Sequence, residues 1–468
     1  MKAPLIAPLP PAMTLDRLIR RVVAQQDGFV LDGGPRSWTF LGAGARRTMG
    51  AFGHVVEHAE GDRARWTTTE DPLEALRSAH ASWRLDPSLP DAPPFLGGAV
   101  GYMAYDLGRS LERIPEIARD DLNMPDLRMA WYDVIFAFKD GRGWIVSSGL
   151  PYPIAQRERE ALRRMEETLA WLETEPPPLA SFQAVGPWSS TFTREEYERA
   201  VGRIQAHIAA GDIYQANLSQ RFEVSVAGDP ADLYLRLREA NPAPFGAFLR
   251  YPDFTLVSAS PERFLELRNG RVETLPIKGT RPRGKTPLDD RRLADELEAS
   301  AKDRAEHLMI VDLERNDLGR VCRTGSVRVP ERFRLEAHPT VWHLVSTVEG
   351  ELAEGLDAVD LVRASFPGGS ITGAPKLRAM EILEGLEPTR RGPYTGSIGY
   401  WGLDGNLDLS IVIRTAIVTG DRAYVQVGGG IVADSDPACE YQETLDKAAA
   451  LVRAIAPERA SEAACTSS

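Results

Sequence analysis

The feature that most constrains this chain is the series of apolar alternations, punctuated by turn dipeptides, that fills its second half. Phe264 to Arg268 alternates, Asn269-Gly270 follows, and Arg271 to Leu275 alternates again. An Asn-Gly pair between two such segments predicts a two-residue hairpin, because both residues tolerate positive φ. A second meander runs from Ser397 to Ile431, with turns at Asp404-Gly405 and Gly420-Asp421 and a strongly apolar strand from Ile411 to Val418 between them. Antiparallel sheet therefore dominates beyond residue 210.

Helical signals flank these strands. The pattern predicts helices over 160–173, over Thr193 to Ala210 with Thr193 opening it, over about 290–317, and over 437–454 with Asp436 as N-cap and Pro437 in the first turn. Alternating strands with separate long helices predict an α+β fold of two packed antiparallel β-sheets with helices outside. Three stretches punctuate the chain: the Pro-rich start to Thr14, the triple-proline segment Thr174 to Leu179, and a small, polar tail after Ala456. The first and last are expected to be flexible. A boundary near residue 180 divides an N-terminal region, 1–180, from a sheet-rich region, 181–458, with a tail over 459–468.

Composition narrows the function classes. The formal net charge of −12 argues against a broad grip on nucleic acid or on an anionic membrane surface, though a local basic cluster can still bind a small anion. Prolines break the apolar residues of the first 14 positions, leaving no signal-peptide core, and no later run reaches the roughly 18 apolar residues of a membrane span. A soluble, cytoplasmic protein is expected. Cys322, Cys439 and Cys465 are odd in number and lack CxxC spacing, so neither a disulfide framework nor a zinc site is expected.

Several constellations could carry chemistry. Asp303 and Glu306 stand i,i+3 on one predicted helix and Glu440 and Glu443 have the same spacing on another, so each pair presents two carboxylates on one face. Two such faces meeting would make the oxygen cage that Mg²⁺ prefers; spacing alone fits two solvated faces better. Arg414 lies inside an apolar run, where its guanidinium needs a salt-bridge partner or an anionic ligand. Gly428, Gly429 and Gly430 end a strand and leave backbone NH groups bare enough to approach an anion. A third Gly-rich stretch, Phe366 to Lys376, precedes a helix expected to begin near Ala374.

Lys278 follows the Asn269-Gly270 hairpin and Glu262 lies sixteen residues earlier, across it, so a regular hairpin brings Pro261-Glu262 near Ile277-Lys278. A buried lysine can become a neutral nucleophile and a nearby carboxylate can move protons; an exposed loop lysine among Arg281, Arg283 and Lys285 is the alternative. His343, among apolar neighbours, fits an acid/base role or a satisfied core position. No GxSxG elbow, HExxH, GxGxxG or Walker motif is present.

In order along the chain, Asp212-Ile213-Tyr214-Gln215-Ala216-Asn217-Leu218-Ser219, Ser260-Pro261-Glu262-Arg263-Phe264, Pro276-Ile277-Lys278-Gly279-Thr280, Ala305 to Leu313, Gly373-Ala374-Pro375-Lys376 and Glu440-Tyr441-Gln442-Glu443-Thr444 resemble the motifs of the chorismate-utilising enzymes. The match is dense from Thr193 to Ala456 and loose before it. The resemblance implies a fold like that of the anthranilate synthase large subunits of that family. It also implies Mg²⁺ on Glu306 and Glu443, supported by Asp303 and Glu440, and a substrate carboxylate held by Arg414, Tyr394 and the backbone of Gly428 to Gly430, with Thr280 in the same site.

Within that family, a lysine at position 278 marks the branch that aminates chorismate at C4, and Gln215 stands where the isochorismate and salicylate enzymes have a general-base lysine. The implied reaction is a relay through a Lys278 adduct at C2 in the folate pathway, with Glu262 as acid/base, helped by His343. An anthranilate-forming subunit is the alternative. No glutaminase sequence is visible, so a separate glutamine amidotransferase subunit is expected to supply ammonia in a heterodimer. Members that hold tryptophan show a Leu-Leu-Glu/Asp-Ser motif; here Val30-Leu31-Asp32-Gly33 lacks the serine, whereas the companion loop Asn241 to Phe245 is present.

Overall fold

The computed structural model describes residues 4–34, 37–61, 64–85, 92–338 and 341–456. The tail over 459–468 and Cys465 lie outside the described residues. Among those described, thirteen strands form one sheet and twelve a second, and every strand pairing is antiparallel. The first sheet, here sheet I, runs through Phe29–Asp32, Phe245–Arg250, Phe254–Ser260, Thr415–Thr419, Arg422–Ile431 and Gln215–Ala227. Sheet II runs through Ile277–Pro282, Val341–Glu351, Arg271–Thr274, Arg263–Arg268, Leu407–Ile411 and Ser397–Gly402. Strands from before residue 180 continue both sheets, as Thr39–Gly42 does in sheet I and Gly98–Met103 in sheet II.

The sheets pack face to face through an aromatic layer. Phe40 of sheet I meets Tyr400 of sheet II edge-on at 5.7 Å, and Phe29 meets Tyr132 at 4.5 Å. Aromatic and aliphatic side chains fill this layer because inward positions of both sheets alternate with outward ones. Helices Leu15–Val23, Pro230–Ala240 and Pro437–Ile455 cover the far side of sheet I, while Pro72–Ala81, Ala301–Gly319 and Ala358–Ser365 cover sheet II. The expected α+β sandwich with outer helices is what forms.

The local signals behave as their chemistry dictates, with four differences. Thr193 caps its helix in a full capping box with Glu196, and Asp436 accepts from the Cys439 NH ahead of Pro437. The helix expected over 290–317 is two helices, Pro287–Ala299 and Ala301–Gly319, because Ser300 adopts extended backbone and its hydroxyl caps the second at Asp303. The helix expected near Ala374 begins at Lys376; Gly373–Ala374 instead pairs with Gln215–Ala216, consistent with the exclusion of a residue before proline from helical backbone.

The Pro-rich start is not free, since Leu5–Pro8 pairs with Arg142–Ser147. The apolar run Ile411 to Val418 is no single strand. Leu407–Ile411 belongs to sheet II and Thr415–Thr419 to sheet I, and the chain turns between them at Arg414, where φ is +52°.

That crossing has a neighbour. Phe254–Ser260 lies in sheet I and Arg263–Arg268 in sheet II, so Pro261-Glu262 also passes from one sheet to the other. The two passages are stitched together: Ala259 N donates to Arg414 O at 3.0 Å, Ile411 N to Glu262 O at 3.0 Å, and Ser260 Oγ to Ile411 O at 2.6 Å. Glu262 and Arg414 are thereby fixed at the seam of the sandwich.

Candidate active site

The hairpin places the first pair of functional side chains. Arg268 opposes Arg271, Leu267 opposes Val272 and Glu266 opposes Glu273, so the same register carried to its end sets Ile277 opposite Glu262. Ile277 donates its backbone NH to the Glu262 carboxylate, and Ser370 Oγ donates to Glu262 Oε1 at 2.7 Å. Glu262 is buried at 6% exposure, and burial raises its pKa above the usual carboxylate value, against the pull of Ser370 and Lys278.

Lys278 sits where the pairing of Ile277–Pro282 with Val341–Glu351 breaks register between Ile277 and Thr280. Bulges of this kind re-aim side chains. Gly279 completes it at φ +84°, where a Cβ would stand 2.8 Å from Leu297 Cδ1, so a side chain there would be strained twice over. Lys278 Nζ reaches across to sheet I, 3.5 Å from where a Cβ on Gly430 would lie. Among the described residues, no hydrogen bond and no carboxylate within 4.0 Å holds that Nζ. Burial pushes its pKa below the ordinary lysine value; Glu262, Glu306 and Glu443 pull the other way and Lys447 adds to the fall. The exposed-lysine alternative does not hold, since Lys278 is half-buried.

The glycine triplet forms the opposite wall. Gly428, Gly429 and Gly430 pair with Ser219, Leu218 and Asn217. A Cβ on Gly429 would lie 3.2 Å from Glu440 Oε2 and 3.5 Å from Glu443 Oε1, so both carboxylates of helix Pro437–Ile455 converge over bare backbone. Glu440 is raised in pKa by burial, with the like charge of Glu443 adding to it. Burial acts the same way on Glu443, but Lys447 Nζ at 2.5 Å holds that carboxylate below the usual value.

From sheet II's side, helix Ala301–Gly319 brings Glu306, half-buried and raised by burial, with Lys302 at 4.0 Å. Asp303 is turned to Arg281 at 3.0 Å. Among the described residues, no three acidic, His or Cys side chains are drawn into a preassembled metal cage. Glu306, Glu440 and Glu443 all act on the Lys278–Lys447 neighbourhood without closing on one point.

Arg414 does not form the salt bridge that burial could have demanded. Its Nη1 donates to Lys447 O at 2.8 Å, and among the described residues no carboxylate lies within 4.0 Å of it. Burial lowers its pKa, and Tyr394 and Glu443 act in the opposite sense. Tyr394 is buried and its hydroxyl is pushed up to about 12, so it is a neutral donor at neutral pH. His343 Nδ1 lies 3.1 Å from Thr280 Oγ1, and burial, reinforced by His338 and Arg414, pushes its pKa down to about 4. It is therefore a neutral imidazole beside the site.

Sequence reasoning missed two residues here. Lys447, one turn beyond Glu443 on the same face, donates to Gly428 O at 2.8 Å and ties helix to strand; its i,i+4 spacing was the available signal. His307 adjoins Glu306 but points the other way, to Ser346 Oγ at 2.7 Å and the backbone of Lys278. Gln215 acquires a direct place as well: it is fully buried against Gly430, and among the described residues neither polar atom of its amide has a hydrogen-bond partner. A cavity of 630 Å³ lies elsewhere, between Asp32, Tyr234 and Arg238, and neither Lys278 nor Glu262 lines it.

The seam of the two sheets thus gathers a lysine of lowered pKa, a buried acid, converging carboxylates and an arginine without a carboxylate partner among the described residues, a set of groups suited to a small anion. The chain belongs to the chorismate binding enzyme family, whose model matches residues 35–453. It is 45% identical to aminodeoxychorismate synthase component 1 of Escherichia coli (strain K12), over 86% of each chain. Anthranilate synthase component 1 of Pseudomonas putida is 39% identical over 93% of this chain and 91% of that one. The crystal structure of anthranilate synthase component I from Streptococcus pneumoniae TIGR4 superposes with a TM-score of 0.77 at 33% identity, covering 90% of this chain and 93% of that one. Among the described residues no helix is long and apolar enough to cross a membrane.

Proposed function

We propose that this enzyme aminates chorismate at C4 to give 4-amino-4-deoxychorismate, through a covalent adduct of Lys278 at C2. The observation that carries this reading is Lys278 itself: an amine re-aimed by a bulge into a cluster of carboxylates, unheld by any of them and depressed in pKa. An anthranilate-forming enzyme of the same family has no evident use for that amine.

Arg414 and Tyr394, with the NH groups beside Gly428 to Gly430, hold a substrate carboxylate; Thr280 and neutral His343 border the ring. Neutral Lys278 Nζ attacks C2, both ring double bonds shift in turn, and the C4 hydroxyl leaves with the proton of Glu262 as water. Ammonia then attacks C4, both double bonds shift back, and the C2–N bond breaks to restore the Lys278 amine, with Glu262 taking up the proton that the new C4 ammonium loses. The enolpyruvyl group is kept, since no group in this scheme removes the C2 proton.

The donor set fits Mg²⁺: hard carboxylate oxygens of Glu440 and Glu443 aim at the space left bare by Gly429, with Glu306 opposite and Asp303 behind it. When bound there, the ion would polarise the C4 hydroxyl and neutralise the substrate's ring carboxylate. The family relatives' designation as component 1 supports a second component, which we assign as a cytoplasmic glutamine amidotransferase supplying ammonia in a heterodimer for para-aminobenzoate synthesis. Tryptophan is left out of this reading, because the Asp32 carboxylate is already held by Arg238, Thr39 and the Gly34 NH.

The test is incubation of the purified chain with chorismate, Mg²⁺ and ammonium salt, the product identified by mass, beside Lys278→Ala. Aminodeoxychorismate from the wild type, falling at least about 100-fold in the variant, is expected. Anthranilate and pyruvate from the wild type would refute the reading.

A further inference from the structure

Beneath Glu262 lies a second buried carboxyl that the reaction above does not use. Glu314, on helix Ala301–Gly319, is 9% exposed, and its one hydrogen bond is from Thr274 Oγ1 at 3.0 Å to Oε2. Among the described residues, no cation lies within 4.0 Å of it. Lys376, from helix Lys376–Glu384, is the nearest positive charge acting on it, but that ammonium is engaged by Asp317 at 2.7 Å and the Ser365 carbonyl at 2.8 Å.

The same two segments bracket both carboxyls. Thr274 bonds Glu314 and, three residues on, Ile277 bonds Glu262; Ser370 bonds Glu262 while its neighbour Gly369 is packed on Leu313, next to Glu314. The groups facing Glu314 are Glu262 from the sheet-to-sheet passage, Asp317 from its own helix, Lys376 from the next helix and the Thr274 hydroxyl from the strand.

An unpaired carboxylate in such surroundings is desolvated without compensation, so the group resists ionisation. Because the charge of Glu262 acts on Glu314, ionising one opposes ionising the other.

We propose that Glu314 is a positioning residue for Glu262: as a neutral carboxylic acid it lets Glu262 alone change charge during the reaction, and its ionisation closes the alkaline side of the activity range. Burial and the charge of Glu262 push its pKa up to about 8, which sets the pH at which this happens. At neutral pH the lower carboxyl carries the proton, so Glu262 can give up its own and take it back. Once Glu314 ionises, its charge binds the proton on Glu262 more tightly, and transfer to the leaving hydroxyl slows.

The proposal rests on the amination reading for its kinetic consequence but not for its first test. Infrared difference spectra of wild type minus Glu314→Gln at pH 7 should show the C=O stretch of one protonated carboxyl, and that band should disappear with a midpoint near pH 8. No carboxyl band lost in the variant at pH 7 overturns the proposal, whatever the enzyme makes.

The second test is the pH profile of turnover at saturating ammonia, which both proteins share. The alkaline fall should move up by about one pH unit in Glu314→Gln, with turnover at pH 7 kept within about threefold. Coincident alkaline limbs overturn it. If neither protein forms product, the reaction reading fails and the infrared result stands alone. If Glu314→Gln does not fold, Thr274→Val keeps the carboxyl and removes its donor; the band's midpoint should then rise further, and an unchanged midpoint overturns the proposal.

Discussion

Replacing Gly429 with alanine separates the chemistry of the site from the stability of the sheet. The added methyl would lie 3.2 Å from Glu440 Oε2 and 3.5 Å from Glu443 Oε1, with Lys447 Nζ at 3.8 Å. All three are tips of flexible side chains and the glycine's φ lies outside the left-handed region, so the backbone can stay in place. Stability should change by less than about 1 kcal/mol. The methyl instead takes the space where the two carboxylates meet a cation or water. Loss of one charge-assisted contact is worth about 2 kcal/mol, or roughly 30-fold in kcat/KM.

The control is Gly428→Ala, whose Cβ would lie 2.4 Å from Leu218 O and 2.9 Å from Ser219 Cβ. There the strands themselves must part, at about 1–3 kcal/mol. Turnover of chorismate over a Mg²⁺ series, with thermal melts of both variants, tells them apart. Gly429→Ala should need more Mg²⁺ at an unchanged melting temperature. Wild-type turnover in that variant, or a melting temperature lowered as far as in Gly428→Ala, would show that the carboxylates do not converge there for a purpose.

Two further outcomes follow from the geometry. Arg414→Lys keeps the charge but loses the planar fork, so KM for chorismate should rise about tenfold or more with kcat less affected; an unchanged KM would remove Arg414 from the substrate's carboxylate. His343 has a folded pKa of about 4 against an ordinary 6.5, so the stability of its neutral form is complete above pH 6.5 and is lost as pH falls towards 4. Between pH 7 and pH 5 the wild type should therefore lose about 2 kcal/mol more stability than His343→Gln, read by denaturant melts at the two pH values. Equal losses would mean that the imidazole is not held neutral.

The sequence made some of this site legible because the relevant rules are local. Asn269-Gly270 fixes a register, and counting outward from it puts Glu262 beside Ile277 without any knowledge of the rest of the chain. Helical spacing likewise paired Glu440 with Glu443. What stayed hidden was set by distant contacts. The run from Ile411 to Val418 is uniformly apolar, so nothing local marks the change of sheet at Arg414. The break at Ser300 depends on whether a serine caps a helix or sits within one, which the competition for its hydroxyl decides. Glu314 looks like any other acid on a charged helix, and only the packing of Gly369 and Thr274 around it shows that it is shut away from water.

The paired passages between the sheets carry a consequence for how this enzyme tolerates change. Lys278 rides on one layer of the sandwich and Gly430 on the other, yet the Lys278 amine must reach to 3.5 Å from where a Cβ on Gly430 would lie. The thickness of the aromatic layer between the layers, set by contacts such as Phe40 on Tyr400, is thus a working dimension of the catalyst, as a gasket sets the gap between two plates. Substitutions in that remote layer should register as altered turnover before they register as unfolding, since the gap responds to a fraction of an ångström and the fold does not.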